Sequence, residues 1–125
     1  MTVASLTARQ REAARTQSVF RDVNELIKQL GAPWLAGQIL EHFVCECANT
    51  HCTQQFAISH GDYEELRSHP ARFAVAPGDD HVLADCEQVL VKREAYWVVE
   101  KIEQGRELAE TLDPRSRTTR REARE

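Results

Sequence analysis

Three of the four cysteines in this 125-residue chain fall within eight residues, in the stretch CECANTHC: Cys45, Cys47 and Cys52. Cys45 and Cys47 are two positions apart, which on an extended strand places both thiols on one face. The intervening ANTH is long enough to fold Cys52 back over that face. A tetrahedral ion holds thiolates at about 2.3 Å. Three sulfurs from one tight loop can reach such a centre without large backbone strain. Soft thiolates in tetrahedral geometry select zinc. A disulfide within Cys-x-Cys closes a strained ring, so Cys52 with Cys45 or Cys47 is the better-placed bridge.

A structural zinc site needs a fourth ligand. His81 is the leading candidate, because it follows the Pro77-Gly78 turn in VAPGDDH, where a loop at a strand end can meet the cysteines. Cys86 is the alternative and would complete a four-cysteine site, although a small thiol in LADCEQVL also suits a core. His42, His51 and His60 are weaker candidates, and the His51 ring beside Cys52 is expected to point away. Asp79 and Asp80 are expected to face water, with a bond to the second ring nitrogen of His81 as the alternative. Nothing in the sequence supplies catalytic partners. H-E-x-x-H, the zinc deaminase pattern, a P-loop and G-x-G-x-x-G are all missing. Glu41, Glu46 and the pair Glu64 and Glu65 are expected to be solvated surface carboxylates. The expectation is therefore a non-enzymatic protein with zinc as a structural cofactor.

The Cys-x-Cys-x4-Cys spacing resembles the zinc knot of post-SET segments in lysine methyltransferases, where three cysteines join a fourth from elsewhere in the fold. That resemblance covers eight residues. It implies zinc chemistry and not methyl transfer, since the chain is too short for a SET catalytic domain. The longer pattern, from FVCECANTHC through DYEELRSHPARFAVAPG to YWVVEK, resembles a group of small bacterial proteins of unknown function. It spans residues 9 to 113 and implies a recurring domain with no known activity.

The elements that must position these residues follow from periodicity. Residues 7 to 30 predict a helix, with Thr7 and Gln10 as a capping box and with Gly31 and Pro33 ending it. Val19, Phe20, Val23, Leu26, Ile27 and Leu30 recur in steps of three and four and form one apolar stripe, expected to pack on the chain's own sheet. The polar first half, Arg9 to Gln17, is expected to project or to meet a partner. Residues 32 to 40 read as a loop or one helical turn with Trp34 and Leu35 buried. HFVCECA and QQFAIS predict strands. Ser59 with Asp62 caps a short helix over HGDYEELRSH. ARFAVAPG predicts a third strand, and residues 87 to 102 predict two more around a turn near Arg93 and Glu94, or one bent strand. EQGRELAETLD predicts a closing helix. The fold class is α+β: a long N-terminal helix, then a small, mostly antiparallel sheet with a zinc knot and short helices. Residues 1–113 form one domain and 114–125 a disordered arginine-rich tail.

Composition narrows the function. The tail holds five arginines against two glutamates, a balance of +3, and residues 1–113 hold eleven basic against eighteen acidic side chains, −7, which gives the overall −4. An acidic body is unlike a nucleic-acid surface, and only the tail could attract phosphate. With eight aromatic side chains the core is modest, which gives a stabilising ion a physical motive. No apolar run reaches the roughly 20 residues of a membrane helix, and no secretory h-region is visible. The expectation is a cytoplasmic protein that works by binding a protein partner or a second copy. Phe20, Val23 and Ile27 on the N-terminal helix are the expected contacts. A nucleic-acid-associated regulator and a thiol redox or metal sensor are the alternatives.

Overall fold

The computed structural model describes residues 2–30 and 40–115. The expectations for Gly31, Pro33, Trp34 and Leu35, and for the tail beyond Arg115, lie outside these residues. The order is α1 (Val3–Leu30), β1 (Leu40–Val44), β2 (Gln55–Ser59), α2 (His60–Arg67), β3 (Arg72–Val75), β4 (Glu87–Lys92), β5 (Trp97–Lys101) and α3 (Glu103–Leu112), with a single 3-10 turn at Asp79–His81. This is the expected α+β arrangement. The strands form two small antiparallel sheets and not one. β1 pairs with β2 in the register Phe43 to Phe56, and the second sheet runs β3-β5-β4 with a bulge between Val89 and Val91.

Two apolar clusters fill the interior. Phe43, Phe56, Ile58, Tyr63, Leu66, Ala74, Tyr96 and Val98 make the first, and the Phe43 and Tyr63 rings stack at 4.6 Å. Phe73, Val75, Ala76, Val99 and Ala109 make the second, together with Cys45 and Cys47. β3 and β5 contribute to both, because alternate residues of a strand point to opposite faces. The Ser59 side chain accepts from the Asp62 backbone N–H and starts α2 as predicted.

The long helix departs from its expected role in two ways. It begins at Val3, a full turn earlier than Thr7, and the Thr2 hydroxyl accepts from the Ser5 N–H at 3.0 Å. Gln10 is therefore not a capping residue but a buried one, donating to the Asp85 carbonyl at 3.0 Å. The half from Arg9 to Gln17, expected to project, lies against the body.

The second departure is the face that α1 buries. Gln10, Ala14, Gln17, Arg21 and Asn24 recur in steps of four and three and are buried, while Val19, Leu26 and Leu30 are 61%, 59% and 85% exposed and Val23 also faces out. At 100° per residue these two stripes are on opposite sides of the helix. Ile27 alone of the outer set packs on the core, and Phe20 is half-buried. The apolar stripe therefore does not pack on the sheet. The polar face is inside because its side chains find partners there. Gln17 donates to the Glu46 carbonyl at 3.0 Å and accepts from Lys101 Nζ at 2.6 Å. The Arg21 guanidinium donates to the carbonyls of Pro70 at 2.7 Å and Ala109 at 3.0 Å, and lies 4.6 Å over the Phe73 ring. Buried polar groups satisfied in this way avoid the desolvation penalty that would otherwise expel them.

At the other end, Arg115 is part of the body, donating to both carboxylate oxygens of Glu64 at 2.9 and 3.0 Å. No described helix is long and apolar enough to cross a membrane.

Candidate metal centre

Cys45 follows directly on β1, and Cys47 lies two residues further, where the chain begins to bend. Ala48 to Thr53 then turn the chain. The Asn49 carbonyl accepts from the Cys52 N–H at 3.1 Å, and its side-chain oxygen accepts from the His51 N–H at 2.9 Å. This closes the loop, with Cys52 back beside Cys45. The hydrogen bond from Cys45 N–H to the Gln54 carbonyl at 3.0 Å extends the β1–β2 ladder by one step and fixes the loop's base. His81 arrives from the 3-10 turn that follows β3. Gly78 precedes that turn at φ 137°, a conformation reserved for glycine, and allows the sharp reversal.

The ligand atoms of Cys45, Cys47, Cys52 and His81 all lie within 4.8 Å of one another, close enough to hold a metal ion. His81 Nδ1 is 3.5 Å from Cys45 Sγ and 3.8 Å from Cys52 Sγ. A tetrahedral centre with ordinary thiolate and imidazole bond lengths has sulfur–nitrogen edges of about 3.5 Å and sulfur–sulfur edges of about 3.8 Å. The two sulfur–nitrogen distances are close to such an edge. Cys45 and Cys47 are buried, His81 is largely enclosed and Cys52 is partly open.

All four cysteines are free thiols. A hydrogen bond from the Cys45 thiol, more than any other contact, brings Cys47 down to about 5, with further help from His81 and a backbone hydrogen bond at Asn49. The same shared proton and burial push Cys45 up. Burial also raises Cys52. The Ala76 backbone N–H donates to Cys45 Sγ at 3.2 Å. Backbone N–H bonds to sulfur disperse the negative charge that three thiolates would bring together.

Cys86, the alternative fourth ligand, stands outside this group. It is fully buried between β4 and α1, its thiol meets Asp85 Oδ1 at 3.4 Å, and burial followed by that carboxylate raises it to about 11. It stands just before β4, whose first residue, Glu87, bonds Gln17 and Lys101. His42 and His51 are exposed, and His60 pairs with Glu41. The second ring nitrogen of His81 is 3.8 Å from the Asp80 carboxylate, beyond a hydrogen bond, and the Asp80 side chain is mostly exposed.

Glu46 is the residue that sequence reasoning misplaced. It was expected on the surface, yet it is fully buried between the two cysteines. Its side chain points away from them and accepts from Ala74 N–H at 2.9 Å, Asn24 Nδ2 at 2.8 Å and Tyr63 O–H at 2.8 Å. Burial raises its carboxyl, opposed by those three donors. The signal was present: on a strand, a residue between two same-face ligands must face the opposite side, and here that side is interior.

Comparison with protein-family models, with curated proteins and with solved structures finds no match to this chain.

Proposed function

We propose that this chain is a small zinc-stabilised binding module and not an enzyme. Cys45, Cys47, Cys52 and His81 hold one zinc ion, and the outward stripe of α1 carries the contact. The observation that supports this most is the convergence of three sulfurs and one imidazole nitrogen within 4.8 Å of one another, with the imidazole nitrogen 3.5 and 3.8 Å from two of the sulfurs. Such a donor set fills all four positions, leaving none for the water that a catalytic zinc activates. Three thiolate ligands would also make the ion a poorer Lewis acid. Zinc fits better than harder cations, which prefer oxygen ligands. The occupant that suits the stripe is a second copy of this chain. Val19, Val23, Leu26 and Leu30 follow four-three-four steps without a charge among them, so two such stripes are self-complementary about a two-fold axis.

A second reading has one observation in its favour. Three thiols within 4.8 Å of one another are the setting in which oxidation forms a disulfide and releases metal.

The test is metal analysis of protein purified under reducing conditions without added metal, paired with its sedimentation mass. One zinc per chain, lost in Cys47→Ser and kept in Cys86→Ser, is the expected result. A dimer that Leu26→Asp converts to monomer is expected with it. Metal-free wild type would overturn the zinc reading, and a monomeric wild type would overturn self-association.

A further inference from the structure

The segment from Val44 to Cys47 has two sides. Cys45 and Cys47 turn their sulfurs to the metal group, while Val44 and Glu46 serve as the seat of α1. Asn24 clamps Val44 at both backbone groups, donating to its carbonyl at 2.8 Å and accepting from its N–H at 2.8 Å. The same amide donates to Glu46 Oε2 at 2.8 Å, and Gln17 donates to the Glu46 carbonyl at 3.0 Å. Both amides are fully buried. The first half of α1 is anchored elsewhere, since Arg9 and Gln10 bond Asp85 and the Gln10 carbonyl lies against Gly105 of α3, and in the second half Arg21 and Glu25 add ties to Pro70, Ala109 and Arg67 that bypass the cysteine loop.

We infer that metal occupancy is coupled to the docking of the C-terminal half of α1 through Asn24 and Gln17. The inference rests on the zinc reading above and adds to it a means of regulating the α1 surface. An ion fixes Cys45 and Cys47, and so fixes the peptide groups of Val44 and Glu46 that the two amides read. When the ion leaves, those peptide groups relax: Asn24 loses its backbone partners, and Gln17 loses the Glu46 carbonyl and keeps only Lys101 and Glu87. Residues 17–30 loosen, and these carry Val19, Val23, Leu26 and Leu30. The surface is also joined to the ligand loop directly, since Val19, Phe20 and Arg15 line a shallow groove closed by Thr50. By linkage, weakening the helix dock must weaken metal binding by the same factor.

Hydrogen exchange on the full chain, zinc-loaded and after chelation, tests this, with zinc stoichiometry read by native mass spectrometry. Residues 17–30 should exchange at least tenfold faster without zinc, while residues 3–14 and the β4–β5 pair change by less than twofold. Unchanged exchange over 17–30 overturns the coupling. So does uniform loss of protection, which is global unfolding and not release of one half-helix. Asn24→Ala should weaken zinc affinity roughly tenfold, within the range for residues supporting metal ligands. Gln29→Ala, on the exposed side of the same helix, should leave it unchanged. Equal affinities for the two variants overturn the inference. A wild type that binds no zinc in the mass spectrum instead refutes the metal reading itself, before any exchange is compared.

Discussion

Replacing Glu46 with glutamine tests the buried polar centre of this fold. Three donors converge on two carboxylate oxygens: Ala74 N–H on Oε1, and both Asn24 Nδ2 and Tyr63 O–H on Oε2. A glutamine keeps the shape but offers one acceptor oxygen and one donor group. With its oxygen toward Asn24 and Tyr63, its amide faces the Ala74 N–H. In the opposite orientation its amide faces Asn24 Nδ2, which cannot turn without breaking both bonds to Val44. Either way one buried donor meets another donor, and two charge-assisted bonds become neutral. An unsatisfied buried donor costs about 1–3 kcal/mol, so with the lost charge assistance Glu46→Gln should cost about 2–4 kcal/mol. Tyr63→Phe removes one charge-assisted bond and leaves the carboxylate two donors, for about 1.5–3 kcal/mol. Urea unfolding in zinc-saturated buffer measures both, with an unchanged m-value expected. Glu46→Gln within about 0.5 kcal/mol of wild type would refute the donor counting, because no isosteric swap can satisfy that arrangement.

Gly78→Ala forces a side chain onto a φ of 137° and places its Cβ 2.6 Å from Asp80 Oδ1. A cost of about 1–3 kcal/mol is expected, together with weaker zinc binding as His81 is displaced, read by thermal unfolding and chelator competition. Gly105→Ala sets helix propensity, about 1 kcal/mol in favour, against overpacking of about 1–3 kcal/mol. The obstacle is the Gln10 carbonyl, 3.1 Å from the new Cβ, which belongs to the α1 backbone and cannot swing away. Overpacking should win, and calorimetry should show a lower Tm. Hydrogen bonds from Arg115 hold Glu64 down at about 2, against an ordinary 4.5. A lowered folded-state pKa means that its stabilisation is complete above about pH 4.5 and is lost as pH falls toward 2. Glu64→Gln should flatten the acid limb of the urea midpoint in that window. Identical pH profiles for the two proteins would show that the pair contributes nothing.

Much of the site was legible because its signals are local. Cys-x-Cys on a strand fixes two thiols on one face, a four-residue turn returns the third, and Pro77-Gly78 marks the reversal that delivers His81. The separation of Cys86 was not legible. Both candidates follow the same turn within a few residues, and only the path of the chain into β4 distinguishes them. The division into two sheets was hidden for the same reason. The predicted strands all appear, yet which edges meet depends on Glu46, whose N–H reaches the Ala74 carbonyl at 2.9 Å and joins the first pair to β3 without a continuous ladder.

The sequence by itself determined that α1 is a helix with two stripes of helical period, one apolar and one of glutamine, alanine, arginine and asparagine. Hydropathy assigned the apolar stripe to the interior, and tertiary structure reversed it. The wall that α1 meets is polar: the peptide groups of Val44 and Glu46, the carbonyls of Pro70, Asp85 and Ala109, and the ammonium of Lys101. Against such a wall an apolar stripe would take a partner from each of those groups, and Lys101 would keep another, in Glu87, whereas amides and a guanidinium satisfy them. The desolvation cost of unpaired backbone groups exceeds the gain from burying four aliphatic side chains, so the helix turns its polar face inward. Partner chemistry of that kind is set by segments distant in the chain, and no local pattern encodes it.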